Sequence, residues 1–140
     1  MTAEVRVLGR DEADVLRNVA PGVFDHSLRP DSLAAFFADS RHHLAVALDG
    51  GVVVGMASGF HYVHPDKPPE LFINEVGVAD EYQGQGLGRR LLDGLLAHAR
   101  TLGCVAAWVL TEEDNPIARR LYASAGGEER PGVVMSLFPL

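Results

Sequence analysis

The chain has 140 residues, 47% of them hydrophobic and 22% charged, which suits one compact domain over residues 1–140 and excludes a disordered chain. Twelve Lys plus Arg against 19 Asp plus Glu give a formal net charge of −7, which argues against a nucleic-acid partner and accords with a cationic one. Cys104 is the lone cysteine, no apolar run approaches the roughly 20 residues that span a bilayer, and Met1-Thr2-Ala3-Glu4-Val5-Arg6 lacks a signal-peptide pattern, so a cytoplasmic address is expected.

Val5 to Leu8 alternates briefly and predicts a first strand. Asp11 to Ala20 has helical spacing and ends at the breaker pair Pro21-Gly22. Asp31 is a candidate cap for a second helix carrying Leu33, Phe36 and Phe37. His43 to Leu48 predicts a strand, Asp49-Gly50-Gly51 a hairpin turn, and Val52 to Tyr62 its partner, with Gly55 and Gly59 marking bulges or close contacts. The three prolines of the 63–69 loop exclude regular structure, and Leu71 to Val78 predicts another strand.

Leu87, Leu91, Leu92, Leu95, Leu96, Ala99 and Leu102 form the apolar stripe of a long helix that Gly103 ends. The apolar run Val105 to Leu110 predicts a strand buried on both faces. Asn115-Pro116 opens a last helix that stops at Gly126-Gly127, and Val133 to Phe138 is expected to close the sheet. The order β-α-α-β-β-β-α-β-α-β is that of a three-layer α/β domain with a mixed, mostly antiparallel sheet.

Between the strand ending at Val78 and the long helix stand three glycines in five residues, Gly84, Gly86 and Gly88. Such a loop lets backbone N–H groups converge, and the helix N-terminus adds unpaired amides and partial positive charge, so the corner can hold a phosphate or pyrophosphate. The plainer alternative is a turn that only joins strand to helix. No Gly-Lys-Ser or Gly-Lys-Thr occurs, which excludes a Walker loop, and counting from Gly84 puts Arg89 where a dinucleotide fingerprint needs its last glycine.

The phasing Gln83-x-x-Gly86-x-Gly88 resembles the coenzyme A pyrophosphate loop of the GCN5-related N-acetyltransferase (GNAT) superfamily, and the element order resembles that fold along nearly the whole chain. A looser likeness, from the prolyl loop Tyr62-Val63-His64-Pro65 and the acid at Glu75, is to the aminoglycoside 3-N-acetyltransferases of antibiotic resistance. The resemblance implies acetyl-CoA as cofactor and a primary amine of a small molecule as acceptor, by direct transfer in a ternary complex. It implies that the amides of Gln83, Gly84, Gln85, Gly86, Leu87, Gly88 and Arg89 hold pyrophosphate, with Arg89 or Arg90 as charge partner or as an ordinary surface residue. It also implies that Val76, Gly77 and Val78 pair with pantetheine, one N–H serving as oxyanion donor.

Asn115-x-x-Ala118-x-x-Leu121-Tyr122 resembles the family's second CoA motif, with Asn115 as cap and CoA contact and Tyr122 as general acid. The alternative for Tyr122 is a core tyrosine with a surface hydroxyl. Glu75 is the candidate base, with His64 and then His61 as competitors. Period two puts Glu75 on the face of Ile73 unless a bulge re-aims it. Asp25, His64, Glu112 and Asp114 are expected near the acceptor, although Glu112 to Asp114 also reads as a solvated turn. His42, His43 and Cys104 read as structural, no metal-ligand cluster is expected, and a homodimer stays open. Two other functions compete: acetylation of a protein or peptide amine, and a non-catalytic CoA-binding module.

Overall fold

The computed structural model describes residues 3–140; the leader-free reading of Met1-Thr2 therefore lies outside the described residues. Strands β1 (Glu4–Val7), β2 (His42–Asp49), β3 (Val52–Tyr62), β4 (Glu70–Val78) and β5 (Ala107–Val109) form one sheet in that spatial order. The first three pairings are antiparallel, and β4 with β5 is parallel. Helix α1 (Pro30–Ala38) and a 3₁₀ turn at Ala13–Arg17 pack on one face; helices α2 (Leu87–Thr101) and α3 (Pro116–Ser124) pack on the other.

Each face has its own core. Leu87, Leu91, Leu92 and Leu95 of α2 meet Ala45, Ala57, Leu71 and Ile73, whereas Leu16, Val23, Leu44 and Met56 close the opposite side. Each of those buried α2 leucines contributes roughly 1.5–3 kcal/mol, so α2 is the element that fastens the sheet. Gly55 makes this approach feasible, since a Cβ there would stand 2.9 Å from Leu91 Cδ1.

Both long helices of that layer end in the same way. Cys104 N–H donates to Ala99 O and Gly103 N–H to Arg100 O; Gly127 N–H donates to Tyr122 O and Gly126 N–H to Ala123 O. These paired bonds, with Gly103 and Gly126 at φ of 80° and 97°, are Schellman motifs, as the glycine positions predict.

Four segments depart from the sequence reading. The expected helix at Asp11–Ala20 shrinks to the 3₁₀ turn because Asn18 and Ala20 bond to Val53 of β3 at 2.8 and 2.9 Å. Pro30, not Asp31, opens α1, and the Asp31 carboxylate bonds to Ser32 N–H instead. β5 is a three-residue edge strand rather than a strand buried on both faces, and its Trp108 is 41% exposed. Val133 to Phe138 joins no sheet among the described residues and lies exposed.

His43 of β2 is buried between two other imidazoles, its Nε2 2.7 Å from His61 Nδ1 and its Nδ1 3.1 Å from His98 Nε2. A neutral ring donates through one nitrogen and accepts through the other, so neutral His43 satisfies both contacts only in the right tautomers. Burial first, then the charges of His98 and His61, push its pKa from 6.5 down to about 4. The unfolded chain therefore binds more protons between those values, and stability falls as pH falls through that window. We expect a loss on the order of 1–3 kcal/mol between pH 6.5 and 4 in urea titrations, and a flatter profile for His43→Gln.

Candidate functional site

The site begins at a defect in the β3–β4 ladder. Ser58 pairs with Glu75 but Gly59 pairs with Ile73, so Asn74 is an extra residue that bulges from β4. Gly59 opposite the bulge is obligatory, because a Cβ there would stand 2.6 Å from Phe72 O. Leu71, Ile73, Val76 and Val78 all belong to the α2-side core, so the bulge keeps valines inward and turns Glu75 to the opposite face. Simple alternation from Ile73 would have put Glu75 with α2; the bulge corrects that expectation.

On the opposite face Glu75 meets the loop after the first turn. Gly77 admits that loop, since a Cβ there would lie 2.1 Å from Val23 O. The approach sets Asp25 and His26 within electrostatic reach of Glu75. Burial pushes the Glu75 carboxyl above its usual range, the negative charge of Asp25 adds to this, and His26 opposes it. Phe24, Asp25, His26 and Leu28 line a cleft of about 500 Å³ beside this point.

The second feature is an unpaired strand edge. β5 accompanies β4 only through Leu71–Ala107, Phe72–Trp108 and Ile73–Val109, after which no pairing continues. Ala79 N–H donates to Val54 O at 2.9 Å, and alternation back along the register directs the main-chain groups of Gly77 and Glu75 to β3. The N–H groups of Val76 and Val78 and the C=O of Val76 are thereby left on the open edge, the Val78 carbonyl accepting from the Gln83 side chain. The main chain of Gly77 faces β3, and the absence of a Cβ there lets Val23 approach.

The glycine loop lies next to that edge. Gly84 and Gly86 have φ of 74° and 78°, with nothing within 4 Å of where a Cβ would stand. The first main-chain bond of α2 runs from Arg90 N–H to Gly86 O. Among the described residues the N–H groups of Gly84, Gln85, Gly86, Leu87, Gly88 and Arg89 have no protein acceptor, and no side chain caps the helix. Gln83 does not share this role: its N–H bonds to Asp80 O, and its side chain donates to Val78 O at 3.0 Å. The arginines are occupied, Arg89 by Asp93 at 3.0 Å and Arg90 by Ala3 O at 2.9 Å. Positive potential at this corner therefore comes from backbone.

Tyr122 sits half-buried on α3 against the α2-side core, and its hydroxyl has no hydrogen-bond partner among the described residues. Burial raises its phenol pKa, keeping the proton on at neutral pH. Asn115 caps α3, accepting from Ala118 N–H at 3.1 Å. The open edge of β4 thus has Tyr122 in the layer on one side and Glu75 facing the layer on the other.

Other sequence candidates lie apart. His61 is bonded to His43 on the α2 face, which removes it as a competitor of Glu75. His64 stands 3.9 Å from Glu70 at the far end of β4, about 16 Å of strand from Glu75. Glu112 and Asp114 line a separate open hollow after β5. Sequence reading missed an aromatic row on the Glu75 face: Phe60 and Phe72 at 5.5 Å, Phe72 and Trp108 at 4.6 Å, and Trp108 Nε1 donating to Tyr62 Oη at 2.8 Å. The short β5 creates the row's exposed end, and nothing in an apolar run signals that shortness.

The chain matches the acetyltransferase (GNAT) family over residues 12–126 and belongs to it. It is 38% identical over 104 residues to the N-alpha-acetyltransferase RimI of Mycobacterium tuberculosis, covering 74% of this chain and 63% of that one. It is 38% identical over 127 residues to a mycothiol acetyltransferase of Thermomonospora curvata, covering 89% of this chain and 39% of the other. The chain spans less than two thirds of these relatives, and of the L-2,4-diaminobutyric acid acetyltransferase of Streptomyces coelicolor only 47%. In fold it is similar to an aminoglycoside acetyltransferase from an uncultured soil metagenomic sample, at TM-score 0.83 and 19% identity over 99% of this chain and 96% of that one. It is also similar to the aminoglycoside N-acetyltransferase AAC(6')-Iy in complex with CoA, at TM-score 0.73 and 20% identity over 99% and 95% of the two chains.

Because folding holds the Glu75 carboxyl pKa above its unfolded value, stability is full below the unfolded pKa and declines as pH rises through the folded one. Glu75→Gln removes that cost. Its Tm should exceed that of the parent at pH 7 and approach it at pH 4, as followed by calorimetry.

Proposed function

We propose that this chain binds acetyl-CoA and transfers its acetyl group to a primary amine of a small molecule. The observation that carries the proposal is the run of unpartnered N–H groups from Gly84 to Arg89 beside the open edge of Val76 and Val78. Six main-chain donors with no acceptor at a helix N-terminus suit a diphosphate, and an unpaired strand edge suits the amides of pantetheine. When bound, acetyl-CoA supplies the acetyl group as a thioester.

The chain's own groups meet the other demands. As the C–N bond forms and the C–S bond breaks, Glu75 accepts the proton that leaves the amine nitrogen and Tyr122 gives its proton to the departing sulfur. The raised pKa of Glu75 makes it a stronger base, and that of Tyr122 keeps it protonated until needed. Val76 N–H is the donor left for the acetyl oxygen as charge develops there. Asp25 beside Glu75 favours a cationic acceptor, and the aromatic row offers flat apolar surface to a sugar ring. An aminosugar is therefore the acceptor class we favour. The fold neighbours include the 6'-type enzyme AAC(6')-Iy, which gives the 3-amino position of an aminosugar no preference.

A peptide N-terminus is the second reading, favoured by the 38% identity to RimI. A non-catalytic CoA module is disfavoured by the half-buried Glu75 carboxyl with its raised pKa and by the unpartnered Tyr122 hydroxyl.

Thiol release should be screened over aminosugars, polyamines, amino acids and peptides. Turnover with aminosugars supports the proposal, and turnover confined to peptides overturns the acceptor class. Tyr122→Phe should lower kcat about 100-fold or more with CoA affinity little changed, and an unchanged kcat removes the acid role. Acetyl-CoA at a hundredfold excess over Kd should stabilise the fold by about 2.7 kcal/mol; no shift in Tm at saturating ligand removes the cofactor assignment.

A further inference from the structure

The segment that carries the glycine loop is fastened to the sheet through one side chain. After Ala79, whose N–H donates to Val54 O, the chain makes a single 3₁₀ turn at Asp80–Tyr82 and enters the loop. The half-buried Tyr82 ring packs against both cores, and its hydroxyl donates to the carboxylate of Asp49, 33 positions earlier in the chain. Asp49 is itself held in place. It pairs with Val52 across a two-residue turn in which Gly50 and Gly51 have φ of 56° and 80°, the backbone that suits strand twist. The hydrogen bond to Asp49 raises the Tyr82 phenol pKa, with burial and the charges of Asp49 and Glu81 adding to it, so the donor keeps its proton at neutral pH.

Among the described residues, every other hydrogen bond of residues 80–86 stays within the segment or joins it to the adjoining ends of β4 and α2. Gln83 donates to Val78 O at 3.0 Å and to Asp80 at 3.3 Å, Gln85 donates to Glu81 O at 3.3 Å, and Tyr82 N–H donates to Ala79 O at 2.8 Å. Such bonds set the local shape of the loop but not its stance relative to the rest of the sheet. Nothing stands within 4 Å of where a Cβ of Gly84 or Gly86 would be, and glycine loses more conformational freedom on ordering than any other residue. A ligand that had to order this stretch itself would bind more weakly.

We propose that the Tyr82–Asp49 bond positions the cofactor loop: it holds residues 84–86 in place before the ligand arrives, and so strengthens binding of the diphosphate without touching it. This inference rests on the acetyl-CoA reading. The β2–β3 turn then serves as the strut against which the loop is braced. Tyr82 is a positioning residue and takes no part in acetyl transfer, so its loss acts on cofactor affinity and not on kcat.

Two measurements on the same variants test it: ¹⁵N relaxation of the ligand-free chain and calorimetric titration with CoA. In the intact chain the order parameters of residues 84–86 should be close to the rigid value of about 0.85, and in Tyr82→Phe, which keeps the packed ring, they should fall below about 0.6. The Kd for CoA should rise about tenfold in Tyr82→Phe and in Asp49→Ala, with kcat at saturating acetyl-CoA unchanged. The double variant should be no weaker than either single one, because both remove the same bond. Asp49→Asn, whose amide oxygen still accepts from the phenol, should recover part of the affinity. Order parameters that stay high in Tyr82→Phe overturn the proposal, and so does a lowered Tm with Kd unchanged, the mark of a bond that only stabilises the fold. Single effects that add in the double variant overturn it as well. If the intact chain binds no CoA, the cofactor reading fails, and the order parameters decide the bracing of the loop by themselves.

Discussion

One extra residue in β4 governs the site. Asn74 has no partner on β3, and from that point the strand changes which side chains face each layer. Val76 and Val78 remain inward against α2, Glu75 turns outward to Asp25, and the neighbouring strand β5 stops one residue earlier at Val109. A bulge shifts the alternation of its strand, so this defect produces the outward carboxylate, and the open main-chain edge begins where β5 stops. Without it, Glu75 would face α2 together with Ile73.

The surrounding glycines serve that defect by removing atoms. Gly59 accommodates the bulge against Phe72 O, Gly77 admits Val23 O, and Gly84 and Gly86 hold positive φ with empty space around them. The first two are steric necessities in a packed interior, where even a methyl group forces the backbone to move. The last two differ, because nothing touches them: there the constraint is conformational, and the openness is what a ligand would use. The two arginines beside the loop are already bonded, which leaves backbone amides as its source of positive potential.

Much of this was legible in the sequence. The α2 stripe, the Asn115-Pro116 cap, the Gly103 and Gly126 stops and the glycine loop each rest on local chemistry, and local chemistry reads directly from residue order. The face of Glu75 did not, because it depends on a one-residue register shift that only pairing with β3 reveals. The shortening of Asp11–Ala20 to a 3₁₀ turn came from bonds to Val53, more than 30 residues away. His61, considered as a base, proved to be one end of a three-imidazole chain whose members lie on β2, β3 and α2. The apolar runs at 105–110 and 133–138 both read as strands, yet one is a short edge and the other is unpaired within the chain.

The decisive measurement is an amide map of the ¹⁵N-labelled chain titrated with CoA and followed by NMR. Resonances of Gly84 to Arg89, together with Val76 and Val78, should move most, while Gly77, bonded to β3, moves less than the two valines flanking it. Shifts centred elsewhere, or a loop that stays silent as CoA saturates, would contradict a site built from unpaired backbone at this bulge.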